Sequence, residues 1–224
     1  MILPIGDDNI EGGHKPIIAY SLLFLNIAIF VYQITLEMDQ ITYLLNEFGV
    51  IPIEIVRGQD LFSLMTSMFL HAGLMHLLGN ALFLWIFADN IEAVVGNWRF
   101  LIFYIGGGLF ASMVHIGIEP ASVIPTVGAS GAISAVMGCY LIMFPKSRIK
   151  MLFIFKTFYI SALLFLGIWF AQQLFSGIGT ISANSADEAG GVAWWAHIGG
   201  FVYGVFFGWL FKQRFQSSYS YDIV

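Results

Sequence analysis

Four polar side chains, Ser130, His197, His76 and Asn80, stand in otherwise apolar stretches of this 224-residue chain. Polar groups are costly in hydrocarbon, so each one asks for a reason. His76 and Asn80 are four residues apart and share a helix face. Ser130, Ser134 and Gly138 recur every four residues. His197, Gly200, Gly204 and Gly208 follow a similar spacing. Stripes of small residues let two helices pack backbone against backbone. If these two stripes pack together, Ser130 and His197 meet at one end of the pair.

The chemistry of such a meeting is nucleophilic. A serine hydroxyl attacks poorly until a base takes its proton. His197 is suited to take it and to return it to a leaving amine. Ser130 lies in Gly128-Ala129-Ser130-Gly131, after the non-helical Pro125-Thr126-Val127. The glycines permit a tight turn into a helix. The first N–H groups of that helix have no partner within it, and with the helix dipole they can stabilise an oxyanion. Gly128 and Ala129 thereby belong to the expected oxyanion site, completed by His76 and Asn80 as donors. His71, Gly131, Gly200 and Gly204 are expected to support it. No Asp or Glu is placed to orient His197, so the pattern predicts a Ser–His dyad. Three histidines also suit a metal, but the His-Glu-x-x-His signature is absent from the chain. The Gly-x-Gly-Asp signature of aspartyl intramembrane proteases is absent too. No metal or cofactor is expected.

The elements that must position these residues are membrane helices. Hydrophobic residues make up 58% of the chain and charged ones 10%, against about 25% charged in soluble domains. No basic run suggests nucleic acid. A span needs about 20 apolar residues. Six stretches approach that length: Pro16–Leu36, Phe69–Ala88, Phe100–Ile118, Gly128–Phe144, Met151–Phe175 and Val192–Phe211. Of the nine Lys and Arg residues, all but Arg57 fall on one side of this arrangement, which predicts a cytoplasmic location for both termini. The site residues then lie in the outer halves of their spans. The outer segment Glu37–Ser67 carries an apolar patch around Phe48, Val50 and Ile51 and is expected to dip into the interface. The segment Ser176–Gly191 reads as a loop rich in Gly, Ser and Ala. Glu92, Gly96 and Arg99 read as structural, shaping the inner turn after the second span.

Several motifs together resemble the rhomboid family of intramembrane serine proteases. His71-Ala72-Gly73-Leu74-Met75-His76, followed by Asn80, resembles the family's His-x4-His-x3-Asn signature. Asn90-Ile91-Glu92 and Gly96 resemble the turn that follows it. Gly128-Ala129-Ser130-Gly131 is similar to the nucleophile motif. Ala196-His197-Ile198-Gly199-Gly200 with Gly204 resembles His-x2-Gly-x3-Gly. Many members carry Trp-Arg in the first outer loop, where this chain has Phe62-Ser63. The resemblance implies an all-α membrane protein, a six-transmembrane-helix rhomboid-like bundle. Residues 16–212 would form the catalytic domain, with cytoplasmic segments 1–15 and 213–224. It implies a serine endopeptidase that cuts transmembrane protein substrates at their outer ends, within the lipid bilayer. Lack of added domains suggests a prokaryotic plasma membrane. The rival readings are a non-proteolytic relative that binds transmembrane clients and a small transporter. The sequence leaves the oligomeric state open.

Overall fold

The computed structural model describes residues 2–8, 10, 12–182 and 192–215. The chain opens with strand β1 (Ile2–Gly6) and helix α1 (Ile17–Gln33). Three short helices follow: α2 (Met38–Phe48), α3 (Pro52–Val56) and α4 (Ser63–Thr66). Next come α5 (Leu74–Val95), α6 (Asn97–Ile118) and α7 (Ser130–Met143). A hairpin of β2 (Arg148–Phe153) and β3 (Lys156–Ser161) leads into α8 (Ala162–Ser182), and α9 (Trp194–Phe215) ends the described chain. The protein is mostly helical, but not all-α.

Among the described residues, three helices, α5, α6 and α8, are long and apolar enough to cross a membrane. Helices α1 and α7 are apolar but shorter, at 17 and 14 residues. Helix α9 has 22 residues and carries Lys212 and Arg214 in its last turn. At the centre is α7, buried on almost every side, including Ala135, Val136, Cys139 and Tyr140. Phe87, Phe100 and Tyr104 from α5 and α6 pack in the same core.

The sheet corrects the expected fold. Strands β1, β2 and β3 pair antiparallel in that order. Ile149 and Met151 point inward and are buried, while Arg148 faces out and Lys150 is half-buried. That alternation is the strand period, hidden in the sequence by the apolar residues that follow. The turn between β2 and β3 takes Ile154 to φ +56°. The expected fifth span from Met151 therefore starts at Ala162 instead. The N-terminal segment is part of the fold, since β1 supplies the sheet's third strand and Asp8 pairs with Arg148 at 3.1 Å.

Two other segments differ from expectation. The first loop folds into α2–α4, and part of its apolar patch turns inward: Val50 and Ile51 are buried, and Val50 forms a β-bridge with Thr126, while Val56 stays exposed. The helix expected from Phe69 begins at Leu74, because residues 70–73 are non-helical. Gln33 of α1 fixes them there, with its side chain bonded to both His71 N and His71 O (3.0 and 3.1 Å). Of the segment Ser176–Gly191, the first residues continue α8, and residues 183–191 lie outside the described residues, as do 216–224 of the C-terminal tail.

Candidate active site

Helices α7 and α9 meet backbone to backbone. A Cβ on Gly200 or Gly204 would collide with the carbonyl of Gly131 or Ala135, and one on Gly138 with that of Phe201. Only glycine permits this approach. Gly131 fits in turn against Ala111 of α6, where a Cβ would come within 2.7 Å of the alanine methyl. This seam sets the N-terminal ends of the two helices side by side. Ser130 is the first residue of α7, and its Oγ lies 2.8 Å from His197 Nε2.

The approach to Ser130 is held by the first loop. Val50 and Thr126 exchange backbone hydrogen bonds (2.8 and 2.9 Å), and Gly128 N donates to Ser67 O at 2.8 Å. Gly128 has φ +126°, a conformation that strains any side chain. A Cβ there would also lie 2.7 Å from His76 Nε2, and 3.6 Å from Asn80 Nδ2. His76 and Asn80 thus bracket the backbone two residues before Ser130. Ala129, fully buried, caps α7 through Ile133 N to Ala129 O.

Polar pairing around the site is incomplete. Asn80 is buried, and its Nδ2 has no hydrogen-bond partner among the described residues. His71 is buried too, with neither ring nitrogen paired, and its ring meets the His76 ring edge to face at 5.2 Å. His71 therefore stands behind His76 rather than on α5. Ser134 is different: its hydroxyl donates to Ser130 O at 2.7 Å, an ordinary backbone bond within the helix. Beside Ser130 is a pocket of 20 Å³, lined in part by Met68, Gly108, Val127 and Ala196. It is a narrow cleft. Among the described residues, no group of three His, Cys, Asp or Glu is placed to hold a metal.

Two residues not singled out in the sequence join the site. His115 of α6 is buried and its Nε2 lies 3.2 Å from Thr126 Oγ1, holding the strand that leads to Ser130. Gln173 of α8 is buried, and its Oε1 lies 2.9 Å from His197 Nδ1. The signal for Gln173 was present: Gln172-Gln173 interrupts an apolar run. Trp169 and Trp194 flank the His197 ring at 6.1 and 6.2 Å.

Comparison with known proteins agrees with this architecture. The Rhomboid domain family model matches residues 58–214. Rhomboid protein 1, mitochondrial, of Saccharomyces cerevisiae is 29% identical over 207 residues, covering 91% of this chain and 56% of the yeast protein. The rhomboid protease GluP of Bacillus subtilis is 28% identical over 193 residues, 86% of this chain and 34% of GluP. The putative rhomboid protease YdcA of the same bacterium is 39% identical over 88 residues, 39% of this chain and 44% of YdcA. This chain thus spans about half or less of the length of these relatives. It is an integral membrane protein, and it belongs to the rhomboid family. The relatives are mitochondrial as well as bacterial, so they do not single out a prokaryotic plasma membrane.

Proposed function

We propose that this protein is an intramembrane serine endopeptidase, with Ser130 as nucleophile and His197 as general base. The observation that carries the reading is the 2.8 Å contact between Ser130 Oγ and His197 Nε2 at the start of α7. Ser130 Oγ attacks a substrate carbonyl as His197 Nε2 takes its proton. The carbonyl oxygen becomes an oxyanion, held by the free N–H groups at the start of α7 and by donors from His76 and Asn80. His197 then protonates the leaving amine, and the peptide bond breaks to leave an acyl-enzyme on Ser130. Water, deprotonated by His197, releases the acid.

Six helices, α1 and α5–α9, cross the bilayer in this reading, with both termini cytoplasmic. The 14 residues of α7 span about 21 Å at 1.5 Å per residue, against a hydrocarbon layer of about 30 Å. Ser130 therefore starts its helix below the outer membrane surface, at a depth where the backbone of a transmembrane substrate is within reach. The 20 Å³ pocket beside it has room for a small side chain, which favours cleavage next to small residues. The names of GluP and YdcA as proteases support the reading.

The test is labelling of the purified protein in detergent with a fluorophosphonate, alongside cleavage of a reconstituted transmembrane substrate. Labelling and cleavage that vanish in a folded Ser130→Ala variant are expected. A wild-type protein that binds transmembrane segments but neither labels nor cuts would instead be a non-proteolytic client binder.

A further inference from the structure

His197 is held from both sides of its ring. Nε2 faces Ser130 on α7, and Nδ1 faces Gln173 on α8. Hydrogens are not seen, so the direction of the second bond follows from the amide. The Nε2 of Gln173 lies 3.4 Å from Trp169 O, one turn earlier in the same helix. With the amide nitrogen donating there, the carbonyl Oε1 is what faces His197. The reverse orientation would set Oε1 against the Trp169 carbonyl, two acceptors with no proton between them. An accepting Oε1 requires the imidazole proton on Nδ1. Nε2 is then bare, the form that accepts the Ser130 hydroxyl proton.

We infer that Gln173 is a positioning residue that fixes the Nδ1–H tautomer of His197 through its side-chain carbonyl. The inference rests on the reading of Ser130 and His197 as the reacting pair. It adds to the expected Ser–His dyad a neutral residue that orients the base. The choice of an amide has a physical reason. Gln173 is 4% exposed and sits in a helix apolar enough to span a membrane. A carboxylate there costs desolvation that a neutral amide avoids. The amide still orients the ring, and its bond strengthens when the imidazole becomes charged.

The test compares Gln173→Met, similar in length without the acceptor, with Gln173→Glu, which keeps an oxygen in place. Specifically ¹⁵N-labelled histidine reports the His197 tautomer, with His197→Ala assigning the signal. Wild type should show the Nδ1–H form, and Gln173→Met should lose it. For cleavage, Gln173→Met should lower kcat about 10- to 100-fold with little change in KM, the scale of losing one orienting hydrogen bond. Gln173→Glu should restore most of kcat above neutral pH and move the acid limb of the kcat profile upward, because an anion favours imidazolium. An unchanged His197 tautomer signal in Gln173→Met overturns the inference, whatever the activity. Full kcat in that variant overturns it as well. Failure of the wild type to label at Ser130 would instead count against the protease reading, and the tautomer measurement remains readable in that case.

Discussion

Helices α5 and α7 each carry polar side chains at both ends, and the two ends are paired very differently. At the basic end, Asn90 Oδ1 accepts from Ile10 N at 2.8 Å, and its amide donates to Asp7 Oδ2 and Asp8 O. Tyr140 donates to Asp7 and shares a 2.8 Å bond with Ser147. Glu92, fully buried, accepts from Ile18 N and Ala19 N at the start of α1 (2.9 and 2.7 Å) and from Asn97. At the opposite end, Asn80 Nδ2 and both ring nitrogens of His71 are buried with no hydrogen-bond partner among the described residues. Buried polar groups are normally satisfied, so unpaired ones beside the Ser130–His197 pair are a cost carried for something other than folding. The saturated cluster fastens the N-terminal segment and α1 to the bundle. The unsaturated one lies beside the start of α7, next to Gly128.

If that contrast is right, substitutions at the two ends separate activity from stability. The largest effect is expected for Ser130→Ala and His197→Ala, each lowering cleavage by roughly 10⁴-fold or more while the thermal midpoint in detergent stays near wild type. The double variant should be no worse than either single one, since the residues act as a unit. Wild-type cleavage by either folded variant would remove the pair. Next, Asn80→Ala should reduce turnover by about 10²- to 10³-fold, the typical worth of one oxyanion donor. Its thermal midpoint should hold, because the lost donor has no partner to leave behind. His76→Ala should follow the same pattern. A large drop in midpoint with turnover intact would turn Asn80 into helix glue and erase the contrast.

At the saturated end the sign reverses. Glu92→Ala leaves the N–H groups of Ile18 and Ala19 without their acceptor, while the Asn97 amide keeps its bond to Lys15 O. A loss of about 2–4 kcal/mol is expected, from two unpaired donors at 1–3 kcal/mol each, partly relieved by relaxation. The folded fraction should keep its kcat. Unfolding curves and active-site titration with the fluorophosphonate measure the two quantities separately. A kcat loss per titrated site would mean that the basic end reaches the chemistry after all.

The site was more legible in the sequence than the fold around it. Ser130, His76, Asn80 and His197 were visible because a polar side chain in a span is costly wherever its partner lies. The glycine stripes of α7 and α9 were legible because backbone contact demands a fixed spacing. Glu92 was read as structural, and its role at the start of α1 agrees with that. Asn90 and Glu92 are buried at the basic end of α5. Their partners are remote in sequence: Ile10 lies 80 residues from Asn90, and Asp7 lies 133 from Tyr140. No local pattern encodes such pairs. The hairpin was missed because Met151–Phe155 is apolar enough to extend a span, and only Lys156 marked the turn. Gln173 is hidden for a different reason: it sits in an apolar stretch long enough to read as a span, and its partner is remote in sequence.

The smallest expected effect is also the one that tests the saturated cluster most finely. Asp7 lies outside the membrane helices, and burial raises its carboxyl from 3.8 to about 7, against the opposing bond from Tyr140. Asp89 and Asp8 raise it further by repulsion, while Asn90 donates and opposes them. The folded protein thus holds a proton on Asp7 that the unfolded chain releases near pH 4. Between those two values the folded state binds more protons, so stability falls as pH rises. The contribution is fully present below about pH 4 and is lost once pH passes about 7. Asp7→Asn, which stays neutral and keeps an oxygen for Tyr140 and Asn90, should flatten this slope and exceed wild type in stability above pH 7. Cleavage at the other end should change little. Thermal midpoints of both proteins across pH 4–8 decide it: equal slopes would show that Asp7 is ionised throughout, and that the network at the basic end is built on a charge.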